Sequence, residues 1–417
     1  MWDDLSQRSM SHAPPRAWAR PAAGTMSAYT PPPSSLTAPA LDQCAQLAWP
    51  EAAGRLAIIL SFATALPPDW LLGPSAAKFD FPLVLLGLGQ QLGGMGNAVR
   101  EKFYAVARAA ALLRRLAPRA AVIVVDAWDT MVVNGVTAST ETLLRKVGRG
   151  DRQLLSGECN SWPRCYRPLL AADDAGRRCL GQPGALCFGN SGAYAASAAA
   201  LADALLPASV RELRGEGVMP TADGAARRFT PQVDPRVEVG HDQAAMVRAY
   251  LNRGANGLGR GYGIDERAAL VLSLYDCAGR NFTAVGSKGF QYCFERPHHP
   301  LERVAVERRG AALSLTYRAH DNSTQRPLLV HSNGAGAKGR QVASSPVFAP
   351  LREQLSLARE SLLRRRILLL ESPAAGPCAL RSLGHALDSA RKSCLAQSAC
   401  RKKFNLAPVA SPHAQIP

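Results

Sequence analysis

Two carboxylates three residues apart, Asp126 and Asp129, stand in the segment AAVIVVDAWDTMVV (120–133), where an apolar run of strand length ends abruptly in charge. The run has no helical period, so it reads as a central strand of an α/β sheet. Ligands in such sheets bind beyond the carboxyl ends of the strands. Acids at i and i+3 on the turn that follows can face one crevice, where a hard divalent cation carrying a diphosphate would hold their charges together. A helix N-cap or a solvated loop uses the same residue types, so the pair alone leaves these roles open.

The flanking segments supply the scaffold such a site needs. RLAIILSFATAL from Arg55 and FPLVLLGLG at 81–89 are strand-like, and the Gly-rich QQLGGMGNA follows them. Residues 99–117 have helix-forming composition, apolar positions at helical spacing and an Arg-rich last turn before Pro118. Strand, Gly loop, helix and strand in this order predict a doubly wound α/β domain with right-handed crossovers. Further on, TASTETLLRKV predicts a capped helix, RQLLSGE a strand, and residues 159–185 a loop region punctuated by Cys and Gly. Gly189 to Gly192 predict a turn into an Ala-rich helix, with glycine letting the backbone approach a ligand. Residues 207–240 read as an irregular insertion. Asp242-Gln243 opens another helix, and RPLLVHSNGAGAKG is a strand entering a His-Xaa-Asn-Gly turn at 331–334. LREQLSLARESLLRRRILLL at 351–370 predicts an amphipathic helix ahead of a basic tail.

With 417 residues, 47% of them hydrophobic, the chain can bury a large core as one big domain or two ordinary ones. Residues 1–50, rich in Pro, Ala and Ser, lack the apolar pattern that builds a core and read as a disordered leader. The net charge of +17 would usually suggest nucleic acid as a partner. The basic residues are scattered, however, and no nucleic-acid module is present. No stretch reaches the roughly 18 apolar residues of a membrane span. Ten cysteines form no CxxC pair, but Cys159 and Cys165, Cys179 and Cys187, and Cys277 and Cys293 flank loops that short disulfides could close, buried free thiols being the other reading. Asn281 and Asn322 begin sequons, which are glycosylation acceptors only in a secretory lumen.

Taken in order, these landmarks over residues 53–342 resemble the N-terminal glycosyltransferase domain of the procollagen lysyl hydroxylases, a GT-A fold related to collagen galactosyltransferases. The resemblance implies a Rossmann-like nucleotide-sugar-binding domain at 51–342 with a mixed, mostly parallel sheet. A basic helix and tail of separate role would follow at 343–417. The family's dioxygenase domain is missing, so lysyl hydroxylation is not expected.

From the same resemblance, Asp126, Asp129 and His331 would bind manganese, which grips the UDP diphosphate. Two carboxylates and an imidazole suit manganese better than magnesium, which prefers oxygen alone. Trp128, between the acids, would stack on the uracil. Thr64, Lys102, Ser191, Gly192, Gln243, Asn333, Gly334 and Lys338 would complete the nucleotide-sugar site. Asp242, Asn190 and Glu158 would act on the sugar and acceptor. A carboxylate at a helix N-terminus is stabilised as the anion, so Asp242 could hold sugar hydroxyls or accept a proton.

The expected activity is metal-dependent transfer of a hexose, galactose or glucose, from a UDP-sugar to a hydroxyl on a protein, such as collagen-like hydroxylysine, or on a glycan. The expected location is the endoplasmic reticulum or Golgi lumen, although the first 30 residues hold no uninterrupted signal-peptide core. A non-catalytic binding module of the same fold is the alternative. A basic nucleic-acid-associated protein is favoured only by the pI near 9.8 and the Arg-rich ends.

Overall fold

The computed structural model describes residues 55–355 apart from 65–69, 162–165, 221–225, 229–239, 275–282, 286–290, 295–299, 333–345 and a few isolated positions. Two strands near the C-terminus, at 367–370 and 380–382, are also described. The leader 1–50 lies outside these residues, as do Asn281, Cys165 and Cys277.

Chain order runs β1 (Ala57–Phe62), α1 (Leu72–Lys78), β2 (Leu83–Leu86), α2 (Met95–Leu116), β3 (Ala121–Asp126), β4 (Thr130–Val132), α3 (Ala138–Gly148) and β5 (Gln153–Glu158). After these come β6 (Phe188–Ser197), α4 (Leu206–Leu213), α5 (Asp242–Leu251), β7 (Tyr262–Asp265), β8 (Val271–Ser273), β9 (Leu329–His331), β10 (Ile367–Leu370) and β11 (Leu380–Ser382). Eight of the strands form one sheet in the order β7-β5-β6-β3-β1-β2-β10-β11. Its pairings are parallel except where β6 runs against β3 and β5, and where β11 runs against β10. The expected α/β class with a mixed, mostly parallel sheet is thus observed.

Both faces of the sheet are covered, which is why its strands read as unbroken apolar runs. Ile58, Leu60, Val122 and Val124 face a core built with α2, α4 and α5. Ile59, Ile123 and Val125 face the opposite core, which holds Trp70, Leu144 and Val147. Each such side chain contributes about 1.5–3 kcal/mol on burial. Helix α2 presents Phe103, Val106, Ala110 and Leu113 to the first core at helical spacing. Helix α3 begins with the expected cap: the Thr137 hydroxyl accepts from Thr140 N, and the Thr140 hydroxyl accepts from Thr137 N.

Four sequence expectations are corrected. Gly189–Gly192 is no turn but part of β6, whose register against β5 jumps from Leu155↔Tyr194 to Ser156↔Asn190. A glycine inside a strand marks such a bulge, and the composition here is the same as that of a chain reversal. The region 159–185 contains two short helices, Arg167–Ala172 and Asp174–Leu180, each with a first-turn signal in Pro168 or Asp173. The span 207–240 opens with most of α4 and includes a hairpin of Val218–Pro220 with Ala226–Arg228. Last, although 349–355 is helical, Ile367–Leu370 is a strand paired in parallel with β2. Four consecutive aliphatic residues suit a sheet better than an amphipathic stripe.

Among the described residues, Cys179 and Cys187 are joined, with Cα atoms 5.7 Å apart, and Cys159 is also disulfide-bonded. Asn322 lies exposed in a turn at φ 62°. No helix among the described residues is long and apolar enough to cross a membrane.

Candidate metal centre and surrounding site

The parallel strands end at one edge, and there Asp126 closes β3 in register with Phe62 of β1. The chain bends through Ala127, Trp128 and Asp129 before β4 begins. Trp70 Nε1 holds this bend by donating to the Ala127 carbonyl at 2.8 Å. Strand β4 forms a second, three-stranded sheet with β9 and β8, in which His331 lies opposite Thr130. That register brings His331 from 200 residues downstream to the side of Asp129, and Ser332 N donates to the Asp129 carbonyl at 2.7 Å.

His331 Nε2 lies 3.4 Å from Asp129 Oδ1 and 3.8 Å from Asp126 Oδ2. One ligand atom from each residue falls within 4.8 Å of the other two, so the three could hold a metal ion. His331 is 2% exposed, yet neither ring nitrogen makes a well-aligned hydrogen bond among the described residues. Buried polar atoms are normally satisfied, and a cation shared with the two carboxylates would satisfy this one. Burial disfavours the imidazolium, but Asp129 and then Asp126 outweigh it and hold the His331 pKa above its ordinary 6.5.

Lys102, buried on α2, reaches across the base of the site. Its Nζ donates to Asp126 Oδ1 at 2.8 Å and to Asp242 Oδ2 at 3.2 Å, and it lies 3.5 Å from the Ser191 carbonyl. Burial opposes the charged ammonium, but the two carboxylates prevail and raise its pKa. Asp242 is the first residue of α5 rather than its cap; His241 holds the cap position, and its side chain does not cap the helix. Burial pushes the Asp242 carboxyl up, whereas Lys102, the Gln243 amide and the Ser191 side chain together bring it below its ordinary value.

Glu158 sits at the end of β5, 1% exposed, among side-chain amides. Asn190 Nδ2 donates to it at 3.0 Å, Gln243 Nε2 donates to its other oxygen, and the Asn160 amide turned toward it would donate at 3.0 and 3.2 Å. The side-chain oxygen Oδ1 of Asn190 accepts from Gly192 N at 2.7 Å. Gly192 in turn passes directly against the His331 ring.

The structure therefore gathers Asp126, Asp129, His331, Lys102, Asp242, Gln243, Ser191, Gly192, Asn190 and Glu158 at the carboxyl edge of the sheet. Trp128 projects from the bend between the two acids and is 49% exposed. Thr64 is half-buried two residues beyond the end of β1, at the same edge. Asn333, Gly334 and Lys338 lie outside the described residues. Sequence reading missed Asn160 and Tyr194. Asn160 follows Glu158 across a bend at Cys159 and its strand pairs in a different sheet, so nothing in the local sequence set its amide beside that carboxylate. Tyr194, buried near Lys102 and Asp242, has its pKa raised by burial. It sits in AYAAS, where an aromatic reads as core, and nothing local marks its polar neighbours.

The chain matches no protein-family model and no curated protein.

Proposed function

We propose that this chain is a metal-dependent glycosyltransferase that moves a hexose from a UDP-sugar to a hydroxyl of a protein or glycan acceptor. The observation that carries this reading is the convergence of Asp126, Asp129 and His331 around one point at the sheet's carboxyl edge, with exposed Trp128 between the two acids. A mixed donor set of two carboxylates and one imidazole suits manganese. When bound, a divalent cation there would offset the charge that builds on a departing diphosphate.

The chain's own groups divide the remaining work. Trp128 offers a flat face next to the charged centre, as stacking on uracil requires. Asp126 presents Oδ2 toward His331 while Lys102 occupies Oδ1, so the ammonium orients the ligand without displacing a cation from it. Asp242, held as an anion by Lys102, Ser191 and the Gln243 amide, is a weak base and a strong hydrogen-bond acceptor. It therefore suits holding sugar hydroxyls better than taking a proton. The disulfides support an oxidising compartment, in keeping with a secretory location.

The test is release of UDP from UDP-glucose, UDP-galactose and UDP-xylose with manganese present and then chelated, beside an Asp126→Ala, Asp129→Ala double variant. Metal-dependent UDP release that the variant loses is the expected outcome. A nucleotide sugar that binds without turnover would instead favour a binding module of the same fold, and neither binding nor turnover would sink both.

A further inference from the structure

We infer that Glu158, Asn190 and Gly192 form a buried chain of positioning residues that fixes the seat of the His331 imidazole, so that metal affinity depends on side chains that never touch the metal. The inference rests on the metal-site reading above and departs from the expected contact of these residues with the sugar.

The geometry runs outward from one buried carboxylate. Glu158, 1% exposed, receives the Asn190 amide nitrogen at 3.0 Å, which fixes the orientation of that carboxamide. The carboxamide oxygen of Asn190 then accepts from Gly192 N at 2.7 Å. Both ends of Asn190 are thus engaged by protein, and its side chain serves as a rigid spacer between a strand end and a bulged backbone. The bulge in β6 carries Gly192 under His331, where a Cβ would overlap Cε1 and Nε2 of the ring and stand 2.9 Å from Asn190 Oδ1.

The atom that such a Cβ would strike, Nε2, is the one facing Asp129 and Asp126. The ring is 2% exposed and closely surrounded, so relief would come by swinging it away from the two carboxylates. Glycine is therefore demanded at 192 by the close approach of an imidazole, not by a turn or a positive φ. Partners that orient a metal-binding histidine typically matter roughly 10- to 100-fold in affinity, and here the contact with the ring is steric while hydrogen bonds hold the residues behind it.

The experiment titrates Mn2+ into the metal-free full chain up to millimolar concentration and reads free Mn2+ by electron paramagnetic resonance. Gly192→Ala, Asn190→Ala and Glu158→Gln are measured singly and again in a His331→Ala background, with far-ultraviolet circular dichroism to verify folding. Each single variant is expected to weaken Mn2+ binding by about 10- to 100-fold. In the His331→Ala background the same changes should add almost nothing, since their effect runs through that ring. A merely structural role would weaken both backgrounds alike. Unchanged Mn2+ affinity in Gly192→Ala and Asn190→Ala, or equal losses with and without His331, would overturn the inference while leaving the metal site standing. Should Gly192→Ala not fold, Asn190→Ala, which removes atoms rather than adding them, decides the matter. A wild-type chain that binds no Mn2+ would overturn the metal reading and this inference together.

Discussion

Lys102 Nζ lies 2.8 Å from Asp126 Oδ1, so a buried ammonium on α2 holds one carboxylate of the candidate metal centre from behind. The same atom pairs with Asp242 at 3.2 Å and thereby ties the end of β3 to the start of α5. Replacing Lys102 with Met would leave two acids without their shared cation. Removing one partner of a fully buried pair costs roughly 3–5 kcal/mol; the two carboxylates are partly exposed, so chemical denaturation should register a loss smaller than that. Asp242 would also lose the chief influence that lowers its pKa. A carboxyl with a depressed folded pKa stabilises the fold above its unfolded value near 3.8, and that stability is lost as pH falls through the folded pKa. In Lys102→Met the acid limb of stability, followed by circular dichroism, should therefore move to higher pH.

On the proposed reading, protons and metal compete for His331. Its pKa is raised, so in the metal-free protein its contribution to stability is fully present below the ordinary value of 6.5 and disappears as pH rises through the folded pKa. Manganese needs the neutral ring. Mn2+ affinity should accordingly climb with pH across the window above 6.5, while metal-free thermal stability declines there. His331→Gln should flatten both profiles, as read by titration and by scanning calorimetry. A wild-type affinity that is flat from pH 6 to pH 9 would contradict a histidine ligand.

On the proposed reading Trp128 acts apart from the metal ligands, and it is half exposed in the bend between them. Trp128→Ala should leave the melting temperature close to that of wild type. Base stacking on an aromatic is worth about 1–3 kcal/mol, so KM for the UDP-sugar should rise roughly 5- to 150-fold. Mn2+ affinity without nucleotide should not change. A kcat effect with unchanged KM would argue against a base platform.

Helix α5, which carries Asp242 and Gln243, is anchored from its far side. Arg248 Nε donates to Glu212 Oε2 at 3.0 Å with the pair almost wholly buried, and Asn252 Nδ2 donates to the other Glu212 oxygen at 2.9 Å. Glu212→Ala removes the buried carboxylate that offsets the Arg248 charge and should lower unfolding free energy by about 3–5 kcal/mol. The double change Glu212→Leu, Arg248→Met, which removes both charges, should cost less than the single one in urea denaturation. A larger loss in the double variant would mean that the pair stabilises more than a well-packed apolar replacement.

Local sequence made the principal elements around the site legible. AAVIVVD has to be a strand buried on both faces, because an unbroken aliphatic run cannot present a polar face. The Thr137 cap and the helical spacing of Phe103, Val106 and Leu113 likewise express rules that act within a few residues. Asp126 and Asp129 stand out for the same reason, as charges at the end of an apolar strand. The elements that were misread depended on partners distant in sequence. Asn190-Ser191-Gly192 has the composition of a turn, and pairing of Phe188–Asn190 with β5, continued by that of Ala193–Ser197 with β3, draws it into a strand. The strand at Ile367–Leu370 exists through its parallel neighbour β2, almost 300 residues earlier.

Sequence by itself marked out two acids, a histidine, a tryptophan and a lysine as candidates for the proposed chemistry, with Asp126 and His331 each at the end of an apolar strand. Tertiary structure alone decided which of them meet. His331 reaches Asp129 because β9 pairs with β4 in the register that sets His331 opposite Thr130. Glu158 turns inward to a cluster of amides, and Gly192 is a glycine for the sake of an imidazole. Residue type and helical or strand period are fixed by interactions along the chain. Register and close approach follow from burying both faces of one sheet at once, a condition satisfied only when all its strands are in place.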